Sequence, residues 1–331
     1  MDKVSVIMST YKEPIEWIQE SVDSILNQTY KNLEFIIIVD NPEYMELVSL
    51  LNDYADSDDR ISVVVNNNNI GLVKSLNKAL SFCTGEYVAR MDADDISLPE
   101  RLSYQIDYMN NKNYDLIGCF FEVFYEDRIL RVAKGVKTHE MCTKVLQYES
   151  CVAHPAWVVR KKVFDELGGY RDFDACEDYD FLIRTSLAGY KIGNIPEVLL
   201  RYRDNPKSIS HEKSGKQYSI TQLLAENYRK GNVTGIDEYQ SYLKSSKYKK
   251  IQEIYKTIAD IDRQRFYADK KIKKIICLCR LLCFREFRKM KSIRRRINRW
   301  KKMEYVLGVY YLRMGWLKKD AEKGQCENEN Q

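Results

Sequence analysis

The sequence predicts an α/β fold with a doubly wound, mostly parallel sheet and a helical, basic C-terminal appendage. Three observations carry this expectation. Strand-like and helix-like segments alternate four times before the first acidic cluster, with short connections, the pattern of right-handed crossovers. The strand-like segments are continuous apolar runs, as suits strands covered on both faces. The charge then separates along the chain. Fifteen Lys or Arg against two acids between Asp269 and Lys302 give +13, leaving −8 elsewhere in a chain of formal net charge +5.

Val4 to Ser9 is the first strand, and Thr10-Tyr11-Lys12-Glu13-Pro14 turns the chain. A helix from about Ile15 to Asn27 sets Ile18, Val22, Ile25 and Leu26 on one face. Leu33 to Val39 is a second strand, ending in Asp40. A helix from about Pro42 to Tyr54, a third strand Ile61 to Val65, a polar loop Asn66 to Gly71 and a helix Leu72 to Phe82 follow. Tyr87-Val88-Ala89 opens the next strand, with apolar and β-branched content suited to a buried sheet.

That strand runs into Asp92-Ala93-Asp94-Asp95, three carboxylates in four residues. Beyond it Ser97, Pro99 and Glu100 read as a helix start, with Ser97 as N-cap and Glu100 three residues later. The acids therefore sit where a strand ends and a helix has not begun, the place where open α/β sheets bind ligands. Crowded carboxylates repel unless a cation or ligand donors compensate them. Asp-x-Asp spacing lets two side chains reach one hard divalent ion and its phosphate ligands, with oxygen donors suited to Mg²⁺ or Mn²⁺. For the tetrapeptide alone, a solvated acidic turn is the plainer reading. No GxGxxG or Walker-type glycine loop occurs, so a nucleotide on this sheet needs its phosphates neutralised another way.

The middle of the chain changes character. Asp115 to Tyr125 is a long β-rich run that Arg128 to Val136 can rejoin as a hairpin. His139 to Tyr148 reads as a helix, and Cys151 to Arg160 as a strand entered through a constrained His154-Pro155 step. A short helix Lys162 to Leu167 ends at Gly168-Gly169. In Glu177-Asp178-Tyr179-Asp180-Phe181-Leu182-Ile183-Arg184, the acids suit a helix N-terminus and Asp180 pairs with Arg184 four residues on. Acids that merely decorate a helix start are the alternative. A strand around Val198 to Arg203 leads into the loop Asp204 to His211.

From about Lys213 the chain reads as helical. Ile272, Ile276, Cys279, Cys283, Phe287, Met290, Ile293, Ile297 and Trp300 recur every three or four residues among Lys and Arg, which predicts an amphipathic basic helix at an anionic membrane surface. A helix packed on the catalytic domain and a nucleic-acid tail are the rivals. Recognition-helix and RNA-binding signals are absent, so no nucleic-acid partner is expected. Nine cysteines without a CxxC pair or zinc-spaced His read as reduced structural thiols. The opening MDKVSVIMSTYK lacks a signal-peptide pattern, and no apolar run approaches the ~20 residues of a membrane span. A cytoplasmic protein, peripheral on the inner face of the membrane, is the expectation.

With these residues laid out, the sequence resembles a family-2 inverting glycosyltransferase of the GT-A fold, of the bacterial surface-polysaccharide type. The carriers come in the family's order from Val4 to about Ser210: VSVIMSTYKE, Gln28-Thr29-Tyr30, IIIVD, NIGLVKSLNKAL, GEYVARMDADD, the Ala-His-Pro step, GGY and EDYDFLIR. The resemblance implies a GT-A catalytic domain over 1–212, with a nucleotide-sugar half 1–98 and an acceptor half 99–212, followed by the helical region 213–331. It implies that Thr10, Tyr11 and Glu13 lie under the nucleotide, that Asp40 bonds the base of a uridine-type donor, and that Lys74 and Asn77 lie beside the donor. Asp92 corresponds to the acid near the ribose and Asp94 to the ligand of Mn²⁺ or Mg²⁺. Asp178 corresponds to the catalytic base, with Glu177 as its acidic neighbour. The implied partners are a UDP-linked sugar and a saccharide acceptor, lipid-linked in the leading reading.

The sequence departs from the family in two places. After the second strand it reads Asp40-Asn41-Pro42-Glu43 where an Asp-Gly-Ser-type loop is common. Tyr202-Arg203-Asp204-Asn205 puts Asn where many members have a metal-binding His, leaving Asp204, Asn205, His211 or water to complete the shell. His154 reads as structural or acceptor-side. A sugar nucleotidyltransferase and a catalytically silent membrane scaffold are the alternatives, although the first lacks a glycine- and arginine-rich phosphate loop.

Overall fold

The computed structural model describes residues 2–205, 213–266, 271–285 and 287–303. Strands β1 (Val4–Thr10), β2 (Leu33–Val39), β3 (Ile61–Val65) and β4 (Tyr87–Asp92) are parallel and alternate with α1 (Ile15–Leu26), α2 (Met45–Ser57) and α3 (Leu72–Phe82). Their lateral order is β3-β2-β1-β4, so the chain winds outward to β3 and returns on the other side of β1. That reversal opens a crevice at the carboxyl ends of β1 and β4. The register pairs Thr10 with Val39 and Ser9 with Asp92, so the loops after β1, β2 and β4 leave the sheet at one level.

The continuous apolar runs are explained by burial on two sides. Val6 and Met8 pack in one core with Ile18, Val22 and Ile25 of α1 and with Leu102 and Ile106 of α4 (Arg101–Lys112). Ile7, one residue out of phase, packs in the other with Leu76 and Ala79 of α3. The period of two in a strand sends neighbours to opposite layers, and both layers are apolar here.

The second half extends the same sheet with mixed polarity. β8 (Val158–Arg160) runs antiparallel to both β4 and β6 (Leu116–Tyr125), and β6 pairs in parallel with β9 (Ile192–Arg203). β7 (Arg128–Ala133) returns on β6 as the expected hairpin, and β5 (Ile96–Ser97) pairs with β9 at the edge. Helices α5 (His139–Leu146), α6 (Lys161–Leu167) and α7 (Glu177–Leu187) fall close to their expected positions.

Two local expectations are corrected. The helix expected from Ser97 begins at Arg101, and Ser97 lies in β5 instead. Its amide donates to Ser24 Oγ and its hydroxyl accepts from Gln28 Nε2, each at 3.0 Å, so contacts with α1 and the turn after it replace a local cap. The strand expected over Cys151 to Arg160 is only three residues long, because His154–Ala156 coils into a 3-10 turn around the proline.

Asp180, which the sequence pairs with Arg184, proves to be structural. Its buried carboxylate accepts from Arg184 Nε at 2.8 Å and from Arg171 Nε at 3.0 Å. Arg184 goes on to donate to the carbonyls of Leu167 and Gly169, which ties α7 to the end of α6. Gly169 has φ +70°, and a Cβ there would meet Asn77 Oδ1 at 2.5 Å, so this turn accepts only glycine.

Beyond residue 212 come α8 (Ser214–Arg229), α9 (Ile236–Lys244), α10 (Ser246–Phe266), α11 (Lys271–Cys283) and a helical run over 287–303. Ile220 and Leu224 of α8, Tyr239 of α9 and Ile297 join the core that holds α7. The nine-residue basic stripe is not one face. Ile272, Ile276, Cys279 and Cys283 are exposed, and α11 packs through Cys277 and Leu281 against Tyr255, Ile258 and Ile261 of α10. Phe287 and Ile297 are buried in the protein, with Met290, Ile293 and Trp300 packed beside them. For that half of the stripe the membrane expectation is replaced by packing. The chain breaks from one face to the other at Phe284, where Arg288 donates to the carbonyls of Leu282 and Cys283 and caps α11.

Replacing Asp180 with Ala leaves two guanidinium groups without their buried counter-charge. We expect a loss of about 3–5 kcal/mol in urea unfolding, the scale of breaking a buried pair from one side.

Candidate active site

The loops that leave the sheet together carry the predicted residues. After β1, Glu13 folds back so that its carboxylate accepts from Thr10 Oγ1 and from the Tyr11 amide, both at 2.7 Å. This fixes the loop as a tight turn with Tyr11 exposed at its tip. After β2, buried Asp40 accepts from Asn66 Nδ2 (2.8 Å), the Ile70 amide (2.9 Å) and the Gly71 amide (2.8 Å). Asp40 therefore holds the 66–71 loop against the sheet. Asn66 is in turn held by Lys78 Nζ at 2.7 Å, a contact one helical turn beyond the predicted Lys74, which is exposed on α3. Asn77, expected beside the donor, spends its side chain on the Tyr170 backbone, donating to its carbonyl and accepting from its amide at 2.8 and 2.9 Å.

At the end of β4, one carboxylate oxygen from each of Asp92, Asp94 and Asp95 lies within 4.8 Å of the others. Asp92 is ion-paired to Arg90, a strand residue only 2 % exposed. Asp95 is fully buried; one oxygen accepts from the Arg203 amide at 2.9 Å and the other, Oδ2, has no hydrogen-bond partner. Arg203 also donates to the Asp94 carbonyl and pairs with Glu20 of α1, while its guanidinium lies over Trp17 and Phe124. Arg203 and Glu20 were missed in the sequence because each acts through a contact distant along the chain. The VARMD run marks Arg90 only as a charge inside an otherwise apolar strand.

Burial holds the Asp94 carboxyl above the ordinary carboxylate range, and Asp92 and Glu13 push it further. Asp95 moves the same way, from burial first and then from Asp94 and Asp92. Three oxygens of one sign, crowded and partly dry, with one acceptor unpartnered, are a donor set suited to a hard divalent cation. Asn205 brings its amide to 3.4 Å from Asp94 Oδ2, and His211, the other expected ligand, lies outside the described residues.

Glu177 and Asp178 open α7, 85 and 86 residues beyond Asp92, yet both lie in the field of Asp92 and Arg90. Burial raises both carboxyls. For Glu177 the Asp178 charge adds to burial; for Asp178 the amides of the helix start oppose it. His154 accepts or donates at 2.9 Å to the Tyr170 hydroxyl, packs edge-on to Trp157, and is held neutral by burial and by Arg90.

The family model of glycosyl transferase family 2 matches residues 5–168. An uncharacterized glycosyltransferase of Methanocaldococcus jannaschii, MJ1057, is 38% identical over 67% of this chain and 79% of its own length. The chain belongs to glycosyltransferase family 2. The O-antigen biosynthesis glycosyltransferase WbnJ of Escherichia coli is 31% identical over 71% of this chain and 92% of its own length. Family membership replaces the nucleotidyltransferase alternative. The fold is that of GT-A enzymes. The Pyrobaculum calidifontis mannosyltransferase PcManGT, solved with GDP-Man and Mn²⁺, superposes with TM-score 0.56 at 16% identity, covering 90% of this chain and 85% of that one. S. aureus TarS 1–349 with UDP-GlcNAc gives TM-score 0.58 at 15% identity, covering 80% of each.

The raised Asp178 carboxyl has a consequence for the transferase's stability. A group whose folded value is raised favours the fold while protonated and loses that contribution as pH rises through the raised value. Asp178→Asn, which carries no charge, should therefore have a higher Tm than the parent at about pH 8. The difference should shrink toward the ~3.9 of a free aspartate. Thermal melts across that range check it.

Proposed function

We propose that the protein is a metal-dependent inverting transferase that moves a sugar from a UDP-linked donor to a hydroxyl of a saccharide in surface-polysaccharide synthesis. The observation that carries this is the convergence of two acidic groups from distant parts of the chain: Asp92-Ala93-Asp94-Asp95 at a strand end and Glu177-Asp178 at a helix start, coupled through buried Arg90.

In this reading Asp94 and Asp92 would hold Mn²⁺ or Mg²⁺, Asp95 belongs to the same carboxylate cluster, and Asn205 or His211 would supply a further ligand. When bound, the cation supplies Lewis-acid stabilisation of the diphosphate leaving group. Thr10, Tyr11 and Glu13 form the floor beneath the nucleotide, and exposed Lys74 flanks the donor. Asp40 uses three of the roughly four acceptor positions of a carboxylate. The fourth suits an imide N–H such as that of uracil.

Asp178 is the general base. Its carboxylate takes the acceptor O–H proton as the oxygen attacks the anomeric carbon; the new C–O bond forms as the bond to the diphosphate oxygen breaks, and that electron pair leaves with the diphosphate. One displacement inverts the anomeric centre. A carboxyl raised by burial is a stronger base than a solvated one, which suits the task. Glu177 is its acidic neighbour in the first turn of α7.

The acceptor is lipid-linked in this proposal and the enzyme peripheral on the cytoplasmic face of the membrane, held through the exposed side of α11. Exposed Ile272 (71 %), Ile275 (52 %) and Ile276 (54 %) among lysines support that contact. Among the described residues no helix is long and apolar enough to cross a membrane.

Donor hydrolysis across a panel of nucleotide sugars with Mn²⁺ tests the reading. One uridine-linked sugar should be turned over, and Asp94→Ala or chelation of the metal should abolish it. Asp178→Asn should retain donor binding and lose transfer by roughly 10²–10⁴-fold, the usual contribution of a general base. The pH–rate profile of the parent should show its acid limb above the ~3.9 of a solvated aspartate. A protein that neither hydrolyses nor binds any nucleotide sugar would be a scaffold.

A further inference from the structure

A cavity of about 560 Å³ opens beside Asp178, and most of its wall comes from the C-terminal helices. Its size lies within the ~300–1,000 Å³ range of small-molecule sites. Tyr218 of α8 and Tyr255 of α10 stack at 3.9 Å between ring centres along it, and Tyr148 adds a third ring. Aromatic faces among a few polar groups suit the C–H faces and hydroxyls of a sugar.

The opposite chemistry comes from the run 287–303. Lys291 and Arg294 line the same cavity, and neither forms a salt bridge among the described residues. Arg294 acts on the Glu149 carboxyl from a distance without pairing with it. Lys291 and Arg294 are the cations of the lining, and they share it with the carboxyls of Glu149 and Asp178. Cations without a salt bridge among the described residues, at a site that also holds the proposed base, are placed to receive a negative charge carried by the acceptor.

We propose that this chamber is the acceptor site, and that it selects a saccharide bearing an anionic group close to the reacting hydroxyl, held by Lys291 and Arg294. The assignment rests on the transferase reading above and adds to it the acceptor's chemical class. It also gives the C-terminal helices a task in substrate choice, separate from any membrane contact made by α11. The anion has two possible sources with the same chemistry: the diphosphate that joins a sugar to a carrier lipid, or a carboxylate on an acidic sugar.

Binding titrations on the full chain, with UDP and Mn²⁺ present, distinguish them. The probes are a short-chain polyprenyl-diphosphate monosaccharide in detergent, a uronate-terminated disaccharide in buffer, and the neutral disaccharide of the same linkage. One anionic probe should bind about tenfold more tightly than the neutral one, and Lys291→Gln/Arg294→Gln should erase that margin. Preference for the first probe names the lipid diphosphate, and preference for the second names an acidic sugar. Both side chains are partly or fully exposed, and the variant's melting temperature checks its fold. The parent gives an independent reading: its affinity for the anionic probe should fall as salt rises while the neutral probe's does not. Equal binding of charged and neutral probes, an undiminished margin in the variant, or binding of none of the three overturns the proposal. The underlying transferase reading fails separately, by absence of nucleotide-sugar hydrolysis in the parent.

Discussion

Like-charge crowding at the carboxyl end of β4 is the constraint around which this molecule is arranged. Asp92, Asp94 and Asp95 share a few ångströms, and Glu177 and Asp178 are folded into the same field. Isolated, such a group would be driven apart or protonated. What holds it is a small set of cations and donors placed from other elements: Arg90 from within the strand, Arg203 from the end of β9, and the amides at the start of α7. Arg90 is itself almost wholly buried, and a buried guanidinium is tolerable only among carboxylates. Each group is thus the reason the other can be there.

The sheet topology makes that arrangement possible. A parallel order that reverses at β1 brings the loops after β1, β2 and β4 to one edge, and β8 then carries the chain across β4 into the second half. The Arg90 amide donates to the Trp157 carbonyl through that antiparallel pairing, so the strand that bears the acid cluster is also the seam between the halves. Asp180 does comparable work on the far side, fixing α7 to the turn at Gly169 so that the two acids three and two residues before it stay at the helix mouth. A motif of three acids in four positions therefore splits its labour. Glu177 and Asp178 face the site, and Asp180 faces the interior.

Much of this was legible in the sequence, for identifiable reasons. The first four strands and three helices carry strong periodic patterns, and Leu72–Phe82 was read to the residue. The acid cluster could be singled out because a strand end is marked by local residue chemistry, whereas Asp40 and Asp178 were singled out by the resemblance to the family. What escaped depends on distant partners. Ser97 looks like a helix cap until Gln28 and Ser24 claim it. Asn77 looks like a ligand-facing polar residue until the Tyr170 backbone engages both ends of its amide. The basic stripe failed for a different reason. A repeat of three or four describes a face that meets lipid and a face that meets protein equally well. In α11 apolar residues lie on more than one side, so the pattern could not say which side is inward.

The two halves of the site also use different means, and that difference follows from the substrates they would face. A nucleotide diphosphate offers a fixed set of charges and edges, and strand ends with tight loops hold a fixed set of donors and acceptors at one level. An acceptor glycan varies in shape and charge from one polymer to another. Here its chamber is walled by helices attached after the sheet is complete, and their inner faces can change without disturbing the register of β1, β2 and β4. The small core of Tyr255, Ile258, Ile261, Cys277, Leu281 and Phe287 fixes α10 and α11 to one another, while Ile297 anchors the run 287–303 to the core of α7. Those two attachments hold Lys291 and Arg294 beside Asp178 and leave the exposed isoleucines of α11 free to meet a different surface. A stripe that reads as one amphipathic face thus divides at Phe284 into one stretch turned outward and another that closes the chamber over the candidate base.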